Sequence, residues 1–470
     1  MRKSWIEKTP ILLIFLLFVG CYGCELPGGE PPQVTIGWPK APQIIALETN
    51  WSFDHRWDAF ENYLSYGNDL VHLQYIGEST FYQLIKRDLN NGNIIWESPI
   101  NATTVKSSFF DGTNIYTLGI KTSERSHNHF IRTSIFGDFS GYVYYYTKGY
   151  EETYTSKTLE GLFPESFLRE NYFLEDTKLY YPISYPSLRS IDPEIPSGGG
   201  MYMIDFSQVK PTSNPEEFTV EVQKVYGRTN PETRYTHPVI HKTEDGRTLL
   251  LFAEVFQKVA RLPPLKDNVI DLDYTALTNF IHCVDADTGE LLWKISEPYA
   301  FAAANITVLD NRVLISTWAR STMVNLHDGN ILWQTQPYEG GSYSWSQAIE
   351  GNMAYSSKDI GDADDGLEAL NLDTGKVVWK QYQYSNGGYG VFYNKGILYV
   401  IHQVGIRLYR ASDGKYLAFD DRYVWAPTGF YGNKSFVWNG NLIVYGAEQT
   451  VSFKMNYELD LFGNLVKVSN

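Results

Sequence analysis

Three segments of the chain align without gaps: Asp285-Ala-Asp-Thr-Gly289-Glu-Leu-Leu-Trp293, Asn325-Leu-His-Asp-Gly329-Asn-Ile-Leu-Trp333 and Asn371-Leu-Asp-Thr-Gly375-Lys-Val-Val-Trp379. A fourth copy lies far upstream, Asp88-Leu-Asn-Asn-Gly92-Asn-Ile-Ile-Trp96. A fifth, Ala411-Ser-Asp413-Gly414-Lys-Tyr-Leu-Ala418, keeps the turn and loses the tryptophan. In every copy the glycine stands four residues before the tryptophan position. Each unit reads as a β-hairpin. An alternating strand such as Phe280-Ile-His-Cys-Val284 enters a turn whose Asp side chain bonds the local backbone, glycine supplies positive φ, and a second strand leaves. A tryptophan at fixed register after such a turn faces the same way each time, which suits packing one sheet on its neighbour.

A second element, a polar turn followed by a short apolar strand, marks the start of each unit. It recurs eight times, near residues 67, 111, 175, 245, 310, 350, 394 and 439. Spacings are about 40–45 residues in the short units and 65–70 in the three long ones. Roughly four strands per 40–45 residues is the requirement of a propeller blade. Helical repeats of similar length are excluded, because β-branched and aromatic residues alternate with period two. With 43% hydrophobic residues, the 470-residue chain can bury a large core, so global disorder is excluded. Three cysteines rule out a small disulfide-stapled fold. A net charge of −15 speaks against nucleic acid as a partner, since phosphate recognition needs a basic face.

The repeat resembles that of the quinoprotein-like (PQQ-repeat) β-propellers, whose blade signature is Ala-x-Asp-x-x-Thr-Gly-x-x-x-Trp. The resemblance covers about residues 60–456 and is most specific over 281–379. It implies an all-β fold: a single propeller of four-stranded blades, eight by the count of starts with seven as the alternative. It also implies that Gly92, Trp96, Gly289, Trp293, Gly329, Trp333, Gly375 and Trp379 dock adjacent blades. At Ala418 and in blades two and three no matching tryptophan exists, so docking there is expected to differ. Residues near 43–53 are expected to pair into the last blade and close the ring. Blades two to four carry insertions at 161–174, 185–200 and 263–274. Such insertions map to loops, often on a binding face.

The N-terminus has Arg2, Lys3 and Lys8 ahead of an apolar run from Ile11 to Val19, too short to span a bilayer and of signal-peptide size. It ends Phe18-Val-Gly-Cys21, which resembles the lipobox of bacterial lipoproteins with Phe in place of the usual Leu. Residues 1–20 are thus expected to be a signal peptide and Cys21 the lipidated residue. Residues 21–42, rich in Pro and Gly, read as a tether and 43–470 as the propeller.

The family name raises a quinone cofactor. By resemblance, dehydrogenases of alcohols carry an adjacent cysteine pair over the quinone, and this chain has none. PQQ is not expected, and no catalytic residue is assigned. Asp359-Ile-Gly-Asp362-Ala-Asp364-Asp365 concentrates carboxylates that suit calcium, with Asp359, Asp362 and Asp364 as the candidate ligands, although the twelve-residue calcium-loop pattern is not met. His237 and His241 have a His-x-x-x-His spacing but no evident third ligand. Tyr142-Val-Tyr-Tyr-Tyr146 and Tyr382-Gln-Tyr384 suit either sugar stacking or core packing. No phosphate loop, dinucleotide fingerprint or nucleophile elbow occurs.

The reading is a non-catalytic, lipid-anchored scaffold of the bacterial envelope, in the outer membrane and facing the periplasm or the cell surface. It would bind envelope proteins through blade edges or insertion loops and touch the membrane by its lipid alone. Its plan is similar to that of family members serving outer-membrane protein assembly. The alternatives are a quinone-dependent dehydrogenase of sugars or alcohols and a surface glycan-binding protein.

Overall fold

The computed structural model describes residues 43–54, 63–76, 81–99, 102–121, 128–147, 174–175, 177–183, 200–227, 233–236, 238–256, 279–297, 305–317, 320–336, 343–359, 365–383, 390–402, 405–422, 435–445 and 449–468. All belong to one unit of contacts, residues 41–470. Their strands sort into eight groups in chain order, each with a path of four paired strands and, in units 3 and 4, one short extra strand: unit 1 at 63–99, unit 2 at 102–147, unit 3 at 174–227 and unit 4 at 233–296. Units 5, 6 and 7 follow at 305–334, 343–383 and 390–420, and unit 8 takes three strands from 436–454. The fourth strand of unit 8 comes from the other end of the chain. Thr49–Asp54 runs antiparallel to Gln449–Lys454, with Ser52 opposite Val451 and Asp54 opposite Gln449.

The middle strands of each unit are buried on both faces, so they read as nearly continuous apolar runs. Thr248–Phe256 is the clearest case: Leu249, Leu251, Ala253 and Val255 pack toward unit 5, while Leu250 and Phe252 pack toward unit 3. Repeated around the chain, this two-sided packing places the buried apolar residues in eight clusters. Each cluster is drawn from two consecutive units. The last, Trp51, Leu70, Leu89 and Ile443, joins unit 8 back to unit 1. The units therefore follow one another in a closed cycle, the plan of a β-propeller.

Antiparallel order gives each unit two unlike ends. At one end lie the tight turns between first and second strands and between third and fourth strands. The other end carries the connections from second to third strand and from each unit to the next. Apart from single residues 176 and 237, every internal stretch outside the described residues is one of these latter connections. The insertions expected at 161–174, 185–200 and 263–274 fall there, outside the described residues except for Leu174 and Gly200. We call the two ends the turn end and the connection end. A short hairpin, Tyr457–Leu459 with Leu465–Lys467, follows unit 8.

Residues 43–48 take a separate path from Thr49–Asp54. Ile44 bridges Phe419 in parallel, and Ile45 and Leu47 are buried between units 7 and 8. Leu47, 1% exposed, should cost about 2–5 kcal/mol on replacement by Ala, read as a lowered urea midpoint; an unchanged midpoint would mean this segment does not hold the ring.

Candidate functional site

At the turn end, tryptophans cross from one unit to the next. Trp293 Nε1 donates to Leu326 O at 2.7 Å, Trp333 to Leu372 O at 2.9 Å and Trp379 to Ala411 O at 2.9 Å. In each case the ring lies flat against a glycine of the same turn. A Cβ placed on Gly329, Gly375 or Gly414 would come within 2.5–2.8 Å of the indole. Trp96 makes the same pair of contacts, with Ile135 O at 2.9 Å and with Gly137, while Trp51 uses Leu89 O at 2.8 Å and Gly92. Two of these participants were not legible in the repeat. Trp51 has no turn before it, because its strand is supplied by the N-terminus. Gly137 stands in a shorter turn, Ser134-Ile-Phe-Gly-Asp138, that lacks the repeat spacing.

Three seams lack the tryptophan, and each is held differently. Between units 2 and 3 the outer strands themselves pair. Phe139–Thr147 runs parallel to Glu217–Gly227, from Tyr142 opposite Glu217 to Thr147 opposite Val222, and fuses both units into one nine-stranded sheet. Between units 3 and 4, Gly289 receives the Val225 carbonyl instead of an indole. Between units 7 and 8 the reason is topological. Unit 8 has no turn between its third and fourth strands, so a tryptophan at 418 would have no glycine to meet. Ile45, Leu47, Met455 and Tyr457 fill the space above Ala418.

The connection end of the seams is polar. Glu254 and His282, both almost fully buried, pair at 2.9 Å inside a box of Phe252, Tyr226, Tyr235 and Phe280, whose ring centroids lie 5.4–6.4 Å from the imidazole. Burial, and then the Glu254 charge, push the Tyr226 hydroxyl above its usual range. One seam further, Glu297 accepts Arg320 Nε on both oxygens at 3.1 Å and Thr322 Oγ1 at 3.1 Å. Between units 5 and 6, Gln347 Nε2 donates to Ser316 and Ser356. Buried His402 and Arg407 face unit 6 from unit 7. Asp420 accepts Leu47 N at 2.7 Å and Arg422 through both oxygens at 2.7 and 2.9 Å. Glu297 joins unit 4 to unit 5 through Arg320 and Asp420 ties unit 7 to the N-terminal segment through Leu47, while the Glu254–His282 pair lies within unit 4.

The remaining sequence candidates are placed as follows. Among the described residues no group of three His, Cys, Asp or Glu side chains is disposed to hold a metal ion. Asp362 and Asp364 lie outside the described residues, as do His237, Cys21 and Cys24. Asp359 ends the strand Met353–Asp359, and His241 sits in Val239–Lys242 opposite Leu249. Cys283 is buried in its strand, and burial pushes its thiol up to about 12, which keeps it unreactive.

Residues 274–427, the stretch holding Trp293, Trp333 and Trp379, match the family model PQQ_2, described as outer membrane protein assembly factor BamB. Among solved structures the chain is similar to BamB from Moraxella catarrhalis, with a TM-score of 0.50 and 10% identity over 87% of this chain and 98% of that one. It is similar also to the computationally designed Ika8 protein, with a TM-score of 0.52 and 9% identity over 86% and 99%. No curated protein matches. At such identities the likeness is one of fold, a β-propeller, and the repeats within the matched stretch are PQQ-like.

Two substitutions separate backbone strain from the indole contact. Gly67 and Gly375 both have positive φ, 56° and 68°, but a Cβ would meet an indole only at Gly375, since Trp438 reaches Gly67 through its carbonyl. Gly67→Ala should cost about 1–2 kcal/mol for the left-handed backbone alone, and Gly375→Ala distinctly more; equal losses in urea titrations would contradict the indole contact. A pH effect follows at His402. Burial, and then the positive charge of Arg407, hold its imidazole neutral far below the ordinary histidine range. The unfolded chain takes up that proton near pH 6.5 and the folded one does not, so stability should fall below pH 6.5 by up to about 1.4 kcal/mol per unit. Its two ring nitrogens have no hydrogen-bond partner, so His402→Leu should flatten this slope at little cost at pH 8.

Proposed function

We propose that this PQQ-repeat, BamB-like β-propeller is a non-catalytic scaffold, lipid-anchored through Cys21, that holds partner proteins in the bacterial envelope and serves outer-membrane protein assembly. The observation that carries the reading is the match of residues 274–427 to the BamB family model on a propeller of that fold. The polar belt agrees with it. Glu254, Glu297 and Asp420 are spent on His282, Arg320 and Arg422, so these carboxylates are committed within the fold. Partners are then left the connection end and the open outer edges, such as the edge of Val377–Gln383, as places to bind. No quinone is required.

Tagged protein recovered from native membranes should bring an outer-membrane assembly protein with it. Retention on a polysaccharide column with no such protein would favour glycan binding instead. Palmitate labelling should require Cys21, and label persisting in Cys21→Ala would refute the anchor. Adding PQQ and calcium should change neither absorbance nor dye reduction with sugars or alcohols; stoichiometric binding would turn the assignment toward a dehydrogenase.

A further inference from the structure

The two most exposed large apolar side chains among the described residues are neighbours. Leu461 is 101% exposed and Phe462 84%, at the tip of the hairpin Tyr457–Leu459 with Leu465–Lys467. Scattered apolar residues on a surface need no explanation, but these stand on a tightly built turn. Asp460 Oδ1 accepts the backbone N–H groups of Phe462 and Asn464, each at 2.8 Å. Its Oδ2 accepts Asn464 Nδ2 at 3.1 Å, and Gly463 N donates to Asp460 O at 2.9 Å. The hairpin base is fastened to unit 7. Lys395 pairs with Glu458, Asn394 Nδ2 donates to Met455 O at 3.0 Å, and Arg410 Nη1 donates to Gly463 O at 3.3 Å. Met455 and Tyr457 are buried beneath it.

The ring contains a control for this turn. Ser134-Ile-Phe-Gly-Asp138 in unit 2 has the same hydrogen bonds: Ser134 Oγ accepts from Phe136 N and Asp138 N, and Gly137 N donates to Ser134 O. There the apolar residue after the capping side chain is half-buried, and its carbonyl receives the Trp96 indole. In the long repeat turns the corresponding Leu89, Leu326 and Leu372 are buried too. Leu461 holds that position with nothing over it among the described residues, since the hairpin stands outside the eight units.

We infer that Leu461 and Phe462 form a preorganised knob that inserts into an apolar pocket of a partner protein, and that the pocket is rimmed by basic groups. Rigidity makes the insertion inexpensive, since the turn is ordered before contact. Charge selects the occupant. Backbone and side-chain hydrogen bonds hold the Asp460 carboxyl below its usual range, so the tip carries an ionised group beside the apolar pair. Such a group opposes entry into hydrocarbon and favours a basic rim. The inference rests on the scaffold reading and names one contact of it.

The test places a photoreactive phenylalanine analogue at position 462 in the full chain, in native cells, with the same analogue at position 136 as control. The expected result is one protein adduct specific to 462. Its cross-linked peptide should be apolar with flanking Lys or Arg, and Leu461→Ser should reduce it at least tenfold with an unchanged melting temperature. A Lys-to-Glu change on that mapped rim should reduce the adduct comparably. Adducts to lipid alone, to another copy of this chain, or equal at both positions would overturn the inference. So would no adduct at all. If a Leu461→Ser, Phe462→Ser double variant still recovers the partners of the unaltered chain, the knob is wrong and the scaffold reading stands. If the unaltered chain recovers none, the scaffold reading itself fails.

Discussion

The ring depends on an indole lying flat on a glycine while its N–H closes on a backbone carbonyl of the same turn. The contact needs three things at once: a bare Cα to approach, a carbonyl three residues earlier or two, and a strand that delivers the ring from the unit before. Where all are present, at Trp51, Trp96, Trp293, Trp333 and Trp379, the seam closes in the same way. The polar N–H makes this geometry directional, as a purely apolar side chain in the same slot would not be.

The exceptions follow the same demand for a closed seam by other means. Units 2 and 3 exchange main-chain hydrogen bonds between outer strands, which closes two open sheet edges at the same time. Units 7 and 8 use the N-terminal segment, because the chain break falls where their turn would be. At the opposite end the seams turn polar, and paired charges such as Glu297 with Arg320 take over from the indoles. Buried pairs of this kind add little net stability, but breaking one leaves an unpaired charge, so they make the register of neighbouring units specific.

The legibility of these parts follows the range of the interactions that make them. A turn of Asp, Thr and Gly with a tryptophan four residues on is a local pattern, so the strands, the repeat and four of the indoles stood in the sequence. Trp51 did not, since its partner Gly92 lies in another unit. The aromatic box around His282 draws on three strands of unit 4 and one of unit 3, and no spacing announces it. The parallel pairing of Phe139–Thr147 with Glu217–Gly227 joins residues 75 positions apart, and only the missing tryptophans hinted that something replaced them.

Sequence by itself determined the all-β class, the repeated hairpin, the register of the glycine and tryptophan, and the scarcity of cysteine. These are properties of neighbouring residues and their periodicity. Tertiary structure decided which glycine each indole meets, how three seams close without one, and that Glu254, Glu297 and Asp420 find their partners at the connection end. It also decided that Leu461, in the position of a buried leucine, is exposed among the described residues. The physical reason is that a turn specifies its own backbone, while what covers it is supplied by residues far away in the chain, which no local pattern of the turn announces.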